Sequence, residues 1–344
     1  MDPYTKYLPE LEEEMRWVLT PEIDPAPTDT RESPELLYGM IHYHMGWADA
    51  NFHPIRVDAG KRLRPIFLLL CCEAQGGQWN QALPAAAAVE LLHNFTLIHD
   101  DIEDRDEFRR GRATLWTIWG EAQAINAGDA LYTLAYRALL SLDAVNLPAE
   151  RVLQAARCYS HAILKITEGQ CWDIGFETIS QVSETAYLTM IRGKTATLLG
   201  MACELGAIIA GADPDAIQAM RTFGEAVGMA FQMNDDLLGL WGNPQRTGKP
   251  VGADLRRRKK TLPILHGMAH SPEFAAMMEG AGLDDAAIVK VLALLEKAGS
   301  HAYTLTQAQH FHDQAMTAWK QSHGTGEAQI ALLELAEKLM NRDR

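Results

Sequence analysis

At 344 residues, 47% of them hydrophobic, the chain is long enough to bury a sizeable core in one large domain or two. Its formal net charge of −14 argues against a protein that relies on phosphate-backbone contacts with nucleic acid. No run approaches the roughly twenty uncharged apolar residues of a membrane span, and Met1-Asp2-Pro3 followed by Glu12-Glu13-Glu14 does not read as a signal peptide.

Apolar residues recur at helical spacing almost throughout. An amphipathic segment over 8–19 leads into a loop marked by Pro21, Pro25 and Pro27, and a helix is expected from 34 to 50. Further helices are expected over 62–73, 84–104, 121–142, 148–168 and 184–211, then over 215–241, 262–270, 284–299, 304–322 and 327–341. Pro34, Pro84 and Pro148 sit near helix starts, where a missing N–H costs least. The run Ala85 to Ala88 permits close helix contact. No alternating stretch is long enough to suggest a sheet. The expectation is a single all-α domain over 1–344, with residues 1–32 as an arm available to a partner. Five cysteines, Cys71, Cys72, Cys158, Cys171 and Cys203, make neither a CxxC nor a zinc spacing and fit a reducing cytoplasm.

The densest chemistry is His99-Asp100-Asp101-Ile102-Glu103-Asp104, followed by Arg109-Arg110-Gly111-Arg112. At about 100° per residue, Asp100 and Asp104 lie about 40° apart on one helix face, with Asp101 on the flank. Three such carboxylates repel one another unless a hard divalent cation sits among them. They also fall at the far end of their helix, where the macrodipole disfavours anions. Asp284-Asp285 offers the contrast: it opens a helix, where acids cap. A second acidic pair, Asp235-Asp236, follows Phe231-Gln232-Met233-Asn234, again late in an apolar helix. Two such helices facing across a cavity would hold metals that bridge the oxygens of a diphosphate.

Cations accompany the acids. Gly60-Lys61-Arg62-Leu63-Arg64-Pro65 puts Lys61 and Arg64 three apart. Lys194 follows Gly193, Lys249 follows Gly248, and Arg256 to Lys260 are all basic. Glycine beside lysine lets the backbone approach an anion.

Together these segments resemble the trans-type (all-E) isoprenyl diphosphate synthases, or polyprenyl synthetases, over about residues 35–340 and in motif order. Gly60–Pro65 is similar to GKRxRP, and Asp100–Asp104 with Arg109-Arg110-Gly111 to DDxxD-x4-RRG. Glu168-Gly169-Gln170 with Asp173 resembles GQxxD, Lys194-Thr195 the KT pair, and Phe231-Gln232 with Asp235-Asp236 the second aspartate-rich motif. Lys249 and Gly252 to Pro263 resemble the closing loop. The resemblance implies an all-α helical bundle around a central cavity, of the isoprenoid synthase type I kind, and a homodimer. It implies condensation of isopentenyl diphosphate with an allylic diphosphate (dimethylallyl, geranyl or farnesyl). Asp100, Asp104 and Asp235 would ligate three Mg2+, supported by Asp101 and Asp236. Arg109, Lys194, Lys249 and Lys259 would hold the allylic diphosphate. Lys61, Arg64, His93 and Arg110 would hold isopentenyl diphosphate. Gln232, Thr195 and the Lys194 carbonyl would face the allylic cation, and the released diphosphate would take the last proton.

Phe95 lies five residues before Asp100, about 7.5 Å along the helix and about 140° round it. In the resembled family a bulky residue there closes the floor of the elongation pocket. With small Thr96 beside it, this implies a C20 product, with C15 next. One departure stands out: the second motif's usual third aspartate is Gly239 here, and Asn243 is no substitute. The loss should weaken a metal site and leaves a low-activity or regulatory subunit as an alternative. A class I terpene cyclase is a second alternative, disfavoured because it binds no second diphosphate. A metal-dependent HD-type phosphohydrolase is a third, disfavoured because His93 and His99, six apart, lie on different helix faces.

Overall fold

The computed structural model describes residues 2–21, 35–57, 60–179, 181–243, 251–279 and 283–341. Lys249, Pro25 and Pro27 lie outside the described residues. The chain is helical nearly throughout and divides into two compact units, Met1–Ala156 with Ile208–Gly211 and Arg157–Ala207 with Ala212–Arg344.

In the first unit, Asp2 caps α1 (Pro3–Val18) by accepting from the Thr5 N–H. The 3–4 spacing of Tyr7, Leu11, Met15 and Val18 makes a buried stripe that packs on α3 (Leu63–Ala74), α4 (Leu83–Glu103) and α6 (Glu121–Leu140). The described part of the expected arm therefore packs on its own chain. Helix α2 (Glu35–His44) is shorter than expected because the chain turns at Gly46, where φ is +79°. Ala85 to Ala88 on α4 are fully buried, and α6 answers with buried Ala124, Ala127, Gly128 and Ala135. Small residues on both sides let these two helices pack closely. Helix α5 (Leu115–Trp119) is a short addition.

Between α4 and α5 lies a hairpin that the sequence pattern does not announce. Phe108–Arg109 (β1) pairs antiparallel with Arg112–Ala113 (β2). Two-residue strands are too short to show alternation. The turn residues Arg110 and Gly111 both have positive φ, +52° and +75°, the type I′ pattern that suits a tight hairpin.

The division between units falls inside α7 (Ala149–Thr178), which runs well past the expected end at 168. Gly169 does not break it. A Cβ there would meet the Gly193 carbonyl carbon at 2.8 Å, so glycine permits a backbone crossing. The expected helix over 184–211 is three pieces: α8 (Glu184–Ile191), a π-helical turn at Arg192–Ala196 and α9 (Thr197–Ala210). By length and composition the segment Glu184–Ala210 suffices to cross a membrane, yet 72% of its most apolar window is buried in the protein. Asp213 caps α10 (Pro214–Trp241) through the Ala216 N–H, with Pro214 in the first turn. There follow α11 (Ala253–Arg256), α12 (Leu262–His270), α13 (Pro272–Glu279), α14 (Asp285–Lys297), α15 (Ser300–Gln321) and α16 (Gly326–Met340). Helix α10 packs on α12, α15 and α16. Asp284 caps α14 at 2.7 Å from the Ala287 N–H, as expected for an acid at a helix start. Cys71, Cys72 and Cys203 are buried, and the described cysteines are all free thiols.

One buried ion pair ties the first unit together. Arg62, in the left-handed region at φ +47°, donates to Glu90 at 2.8 Å and to Glu12 of α1 at 3.0 Å. Asn94 donates a further bond to Glu90 at 3.0 Å. Arg62→Ala strands a buried carboxylate and is expected to cost about 3–5 kcal/mol, read by urea denaturation. A loss within experimental error would show the pair to be dispensable.

Candidate active site

Helix α4 is buried through its first turns and emerges only at its acidic end. Asp100 is partly buried, Asp104 is exposed, and Asp101 is 2% exposed. The three carboxylates therefore face different surroundings. Asp101 turns inward and accepts from Arg109 Nε at 2.6 Å, an 8-residue reach closed by the hairpin. Burial pushes its carboxyl up to about 6 against the pull of the Arg109 charge. The hairpin is itself held by Arg112, which donates to the Tyr43 and Ala48 carbonyls at 2.8 Å each and lies 3.8 Å from the Tyr43 ring centroid. A small cavity here is lined by Tyr43, His44, Asp101, Arg109, Arg110 and Thr114.

One to two turns back along α4, cations dominate. Arg64 donates to His93 Nε2 at 3.1 Å, and its buried Nε has no hydrogen-bond partner. Burial pushes the Arg64 guanidinium below its usual range. Burial, then Arg64, Arg110 and Arg109, hold His93 far below the usual imidazole range. Burial, Arg109, Arg110 and Arg62 push His44 down to about 3. The Arg110 guanidinium lies against Gly60: a Cβ there would meet its Nη2 at 2.6 Å, and φ is +105°. Lys61 is exposed. The structure thus gathers the predicted Arg64, His93 and Arg110 and adds His44, which sequence reading missed. His44 carries no motif signal, since its role comes from α2 packing beside the hairpin.

The third feature of α4 is aromatic. The Phe95 ring lies 5.1 Å from that of Tyr132 on α6 and 4.7 Å from that of His99, and Tyr132 lies 5.3 Å from Tyr136. Thr96 bonds back to the His93 carbonyl at 2.8 Å. His99 sits against Gly128, and its Nε2 finds no hydrogen-bond partner.

In the second unit, Lys194 lies in the π-helical turn and donates to Asp173 at 2.6 Å. Such turns concentrate at functional sites because they re-aim side chains. Thr195 Oγ1 lies 3.1 Å from Gln232 Oε1, and Gln232 Nε2 donates to Asp236 at 3.1 Å. Asp236, 2% exposed, also accepts from the Tyr187 hydroxyl and from the Leu262 N–H at 3.1 Å. Burial still pushes its carboxyl up to about 7. Asp235, one residue earlier, is exposed. Lys259 is exposed, and its N–H bonds to the Asp254 carbonyl at 2.9 Å. Sequence reading missed Tyr187, a lone tyrosine 49 residues from its partner.

The carboxylates of Asp100, partly buried, and of Asp104 and Asp235, both exposed, are hard oxygen donors, as Mg2+ requires. Among the described residues no three His, Cys, Asp or Glu side chains form a metal cluster by themselves. Mg2+ is commonly bound by one or two carboxylates with phosphate oxygens completing the shell, so these residues fit it.

The sequence profile of the polyprenyl synthetase family matches residues 47–296. The (2E,6E)-farnesyl diphosphate synthase of Mycobacterium tuberculosis H37Rv is 44% identical over 231 residues, 67% of this chain. The match spans 63% of that relative's own length, less than two thirds. The geranylgeranyl diphosphate synthase of the same organism is 42% identical over 272 residues, 77% of this chain and 76% of its own. Among solved structures, the polyprenyl synthetase from Streptomyces coelicolor A3(2) superposes with a TM-score of 0.85 at 33% identity, covering 98% of this chain and 97% of that one.

The suppressed histidines make stability depend on pH. Unfolded His44 takes a proton near pH 6.5, whereas folded His44 takes one only near 3. Between these values the unfolded chain binds more protons, so stability falls as pH drops from 6.5 toward 3. The slope is at most about 1.4 kcal/mol per pH unit per histidine. His44→Gln is expected to flatten that slope in urea titrations at pH 7 and pH 5. An unchanged slope would remove His44 from the account.

Proposed function

This chain belongs to the polyprenyl synthetase family, and on that premise we propose that it is a short-chain trans-isoprenyl diphosphate synthase. It condenses an allylic diphosphate (dimethylallyl, geranyl or farnesyl) with isopentenyl diphosphate and releases inorganic diphosphate. The observation that carries this reading is on α4. Asp100 and Asp104 end the helix, and seven residues before Asp100 His93 meets Arg64 of α3 and Arg110 of the hairpin turn. The first suits a metal-bound diphosphate, the second a diphosphate held without metal. The unpartnered Arg64 Nε is a donor awaiting an anion, since a buried donor left unpaired costs about 1–3 kcal/mol.

In the reaction, the allylic C–O bond breaks and its electron pair leaves with the diphosphate. The double bond of isopentenyl diphosphate then forms the new C–C bond to the allylic carbon, and a proton passes to the released diphosphate. Mg2+, three ions by family resemblance, supplies electrostatic stabilisation of the leaving diphosphate when bound. Asp100, Asp104 and Asp235 would hold it. Asp101 orients Arg109, and Asp173 orients Lys194, so both cations are aimed before the allylic diphosphate arrives; Lys249 and Lys259 join them. Lys61, Arg64, His93 and Arg110 seat isopentenyl diphosphate. Thr195 and Gln232 present oxygen atoms toward the allylic cation, and Asp236 with Tyr187 fixes that pair. The reaction needs a dry, apolar pocket, because water would quench the cation.

The Phe95, Tyr132 and Tyr136 rings form the floor in this reading, which supports a geranylgeranyl (C20) or farnesyl (C15) diphosphate product. The relatives' names include both. A homodimer in the cytoplasm completes the proposal; the free thiols suit that compartment.

The test is incubation with Mg2+, isopentenyl diphosphate and each primer, with product length read by chromatography. Chain extension is expected; hydrolysis alone or a hydrocarbon product would overturn the reading. Asp100→Ala is expected to lower kcat by about a thousandfold or more, and retained turnover would exclude its metal role. Arg64→Gln is expected to raise KM for isopentenyl diphosphate about tenfold or more while sparing KM for the primer. Phe95→Ala is expected to add at least one C5 unit to the product, and an unchanged length would exclude Phe95 from the floor.

A further inference from the structure

The hairpin that carries Arg109 and Arg110 has little of its own to hold it in shape. Each strand is two residues long, and a lone two-stranded hairpin is marginal in water. The turn needs positive φ at both Arg110 and Gly111. Type I′ turns favour Asn or Asp before the glycine, because a long side chain rarely adopts that conformation. The register also sets Arg109 directly opposite Arg112, and like charges across a strand pair repel. Strand length, backbone conformation and charge all oppose this turn, so contacts outside the hairpin must impose it.

The restraint comes from residues 43–48. The Arg112 guanidinium donates through Nη1 to the Tyr43 carbonyl and through Nη2 to the Ala48 carbonyl, both at 2.8 Å. It also lies over the Tyr43 ring, whose hydroxyl donates back to the Ala113 carbonyl at 2.8 Å. Trp119 of α5 packs edge-on against the Tyr43 ring at 5.2 Å, and Phe52 stacks on Trp119 at 5.7 Å. Arg112 is thereby drawn away from its cross-strand partner, which leaves Arg109 to Asp101 and Arg110 to Gly60. The open end of the hairpin is closed separately, by Thr114 Oγ1 and Trp116 Nε1 donating to the Asp106 carbonyl at 2.9 and 3.0 Å. The turn end depends on Arg112 and Tyr43.

We infer that Arg112, clamped by Tyr43, is a positioning residue for both substrates. It acts through the turn, which aims Arg109 at the allylic diphosphate and Arg110 at isopentenyl diphosphate; this rests on the synthase reading given above. Because the two arginines are consecutive, releasing the turn misplaces both at once. A lysine at 112 would keep the charge and lose the fork, since one nitrogen would replace the two that reach separate carbonyls. At saturation the two bound diphosphates draw the turn back into place, so the loss falls on affinity more than on turnover.

The experiment measures kcat and both KM values for the parent, Arg112→Lys, Tyr43→Phe, Arg64→Gln and Arg137→Lys, with Mg2+ and at a temperature where thermal unfolding shows each to be folded. Arg137 of α6 is the control, an arginine of the same unit that donates to the Val18 carbonyl at 2.6 Å. Arg112→Lys is expected to raise both KM values about tenfold or more while kcat stays within about threefold of the parent. Tyr43→Phe, which loses one hydroxyl bond, is expected to raise both about threefold. Arg64→Gln should raise the KM for isopentenyl diphosphate alone, and Arg137→Lys neither. Parent KM values in Arg112→Lys, a rise in only one of them, or an equal rise in Arg137→Lys overturns the inference and leaves the synthase reading standing. If the parent extends no primer, the synthase reading falls and the inference falls with it.

Discussion

Negative side chains at the negative end of a helix are the constraint around which the first unit is arranged. The last turn of α4 exposes carbonyls that already carry a partial negative charge, and three aspartates are added to it. The chain meets this cost in two ways. Asp101 is buried and neutralised locally by Arg109, which requires the hairpin to double back within eight residues. Asp100, partly buried, and Asp104, exposed, are left for the diffusible cation of the proposed function. The second acidic pair is divided by the same logic. Asp236 is drawn inward and saturated by a tyrosine hydroxyl, an amide and a backbone N–H, while Asp235 points out. In each DD pair, one acid is buried and held by protein partners and the other is more exposed.

The cation cluster shows the complementary cost. Arg64, Arg110, His44 and His93 crowd one region while the nearest acid, Glu90, is engaged by Arg62. Coulomb repulsion and burial keep both imidazoles neutral, so the chain avoids two more positive charges without surrendering their nitrogens as hydrogen-bonding groups. Among the described residues no carboxylate pairs with Arg64, and its Nε has no hydrogen-bond partner. Glu12 and Glu90 fix the neighbouring backbone through Arg62. The buried pair is thus the foundation of the site and not part of it.

Much of this was legible in the amino-acid order. Helices α3, α4, α6, α7, α10, α12 and α14 to α16 follow apolar spacing, and Pro84 and Asp284 mark starts by ordinary N-terminal signals. Arg64, His93 and Arg110 were identified by motif and do meet. What was not legible depended on distant packing or on very short elements. The hairpin needs only two residues per strand, and α13 is eight residues long. The π turn at Arg192–Ala196 looks like continuous helix in any periodicity. His44 and Tyr187 have no local signal, because their partners lie on other elements. Asp173 was read as a motif residue, but only the structure shows that it aims Lys194.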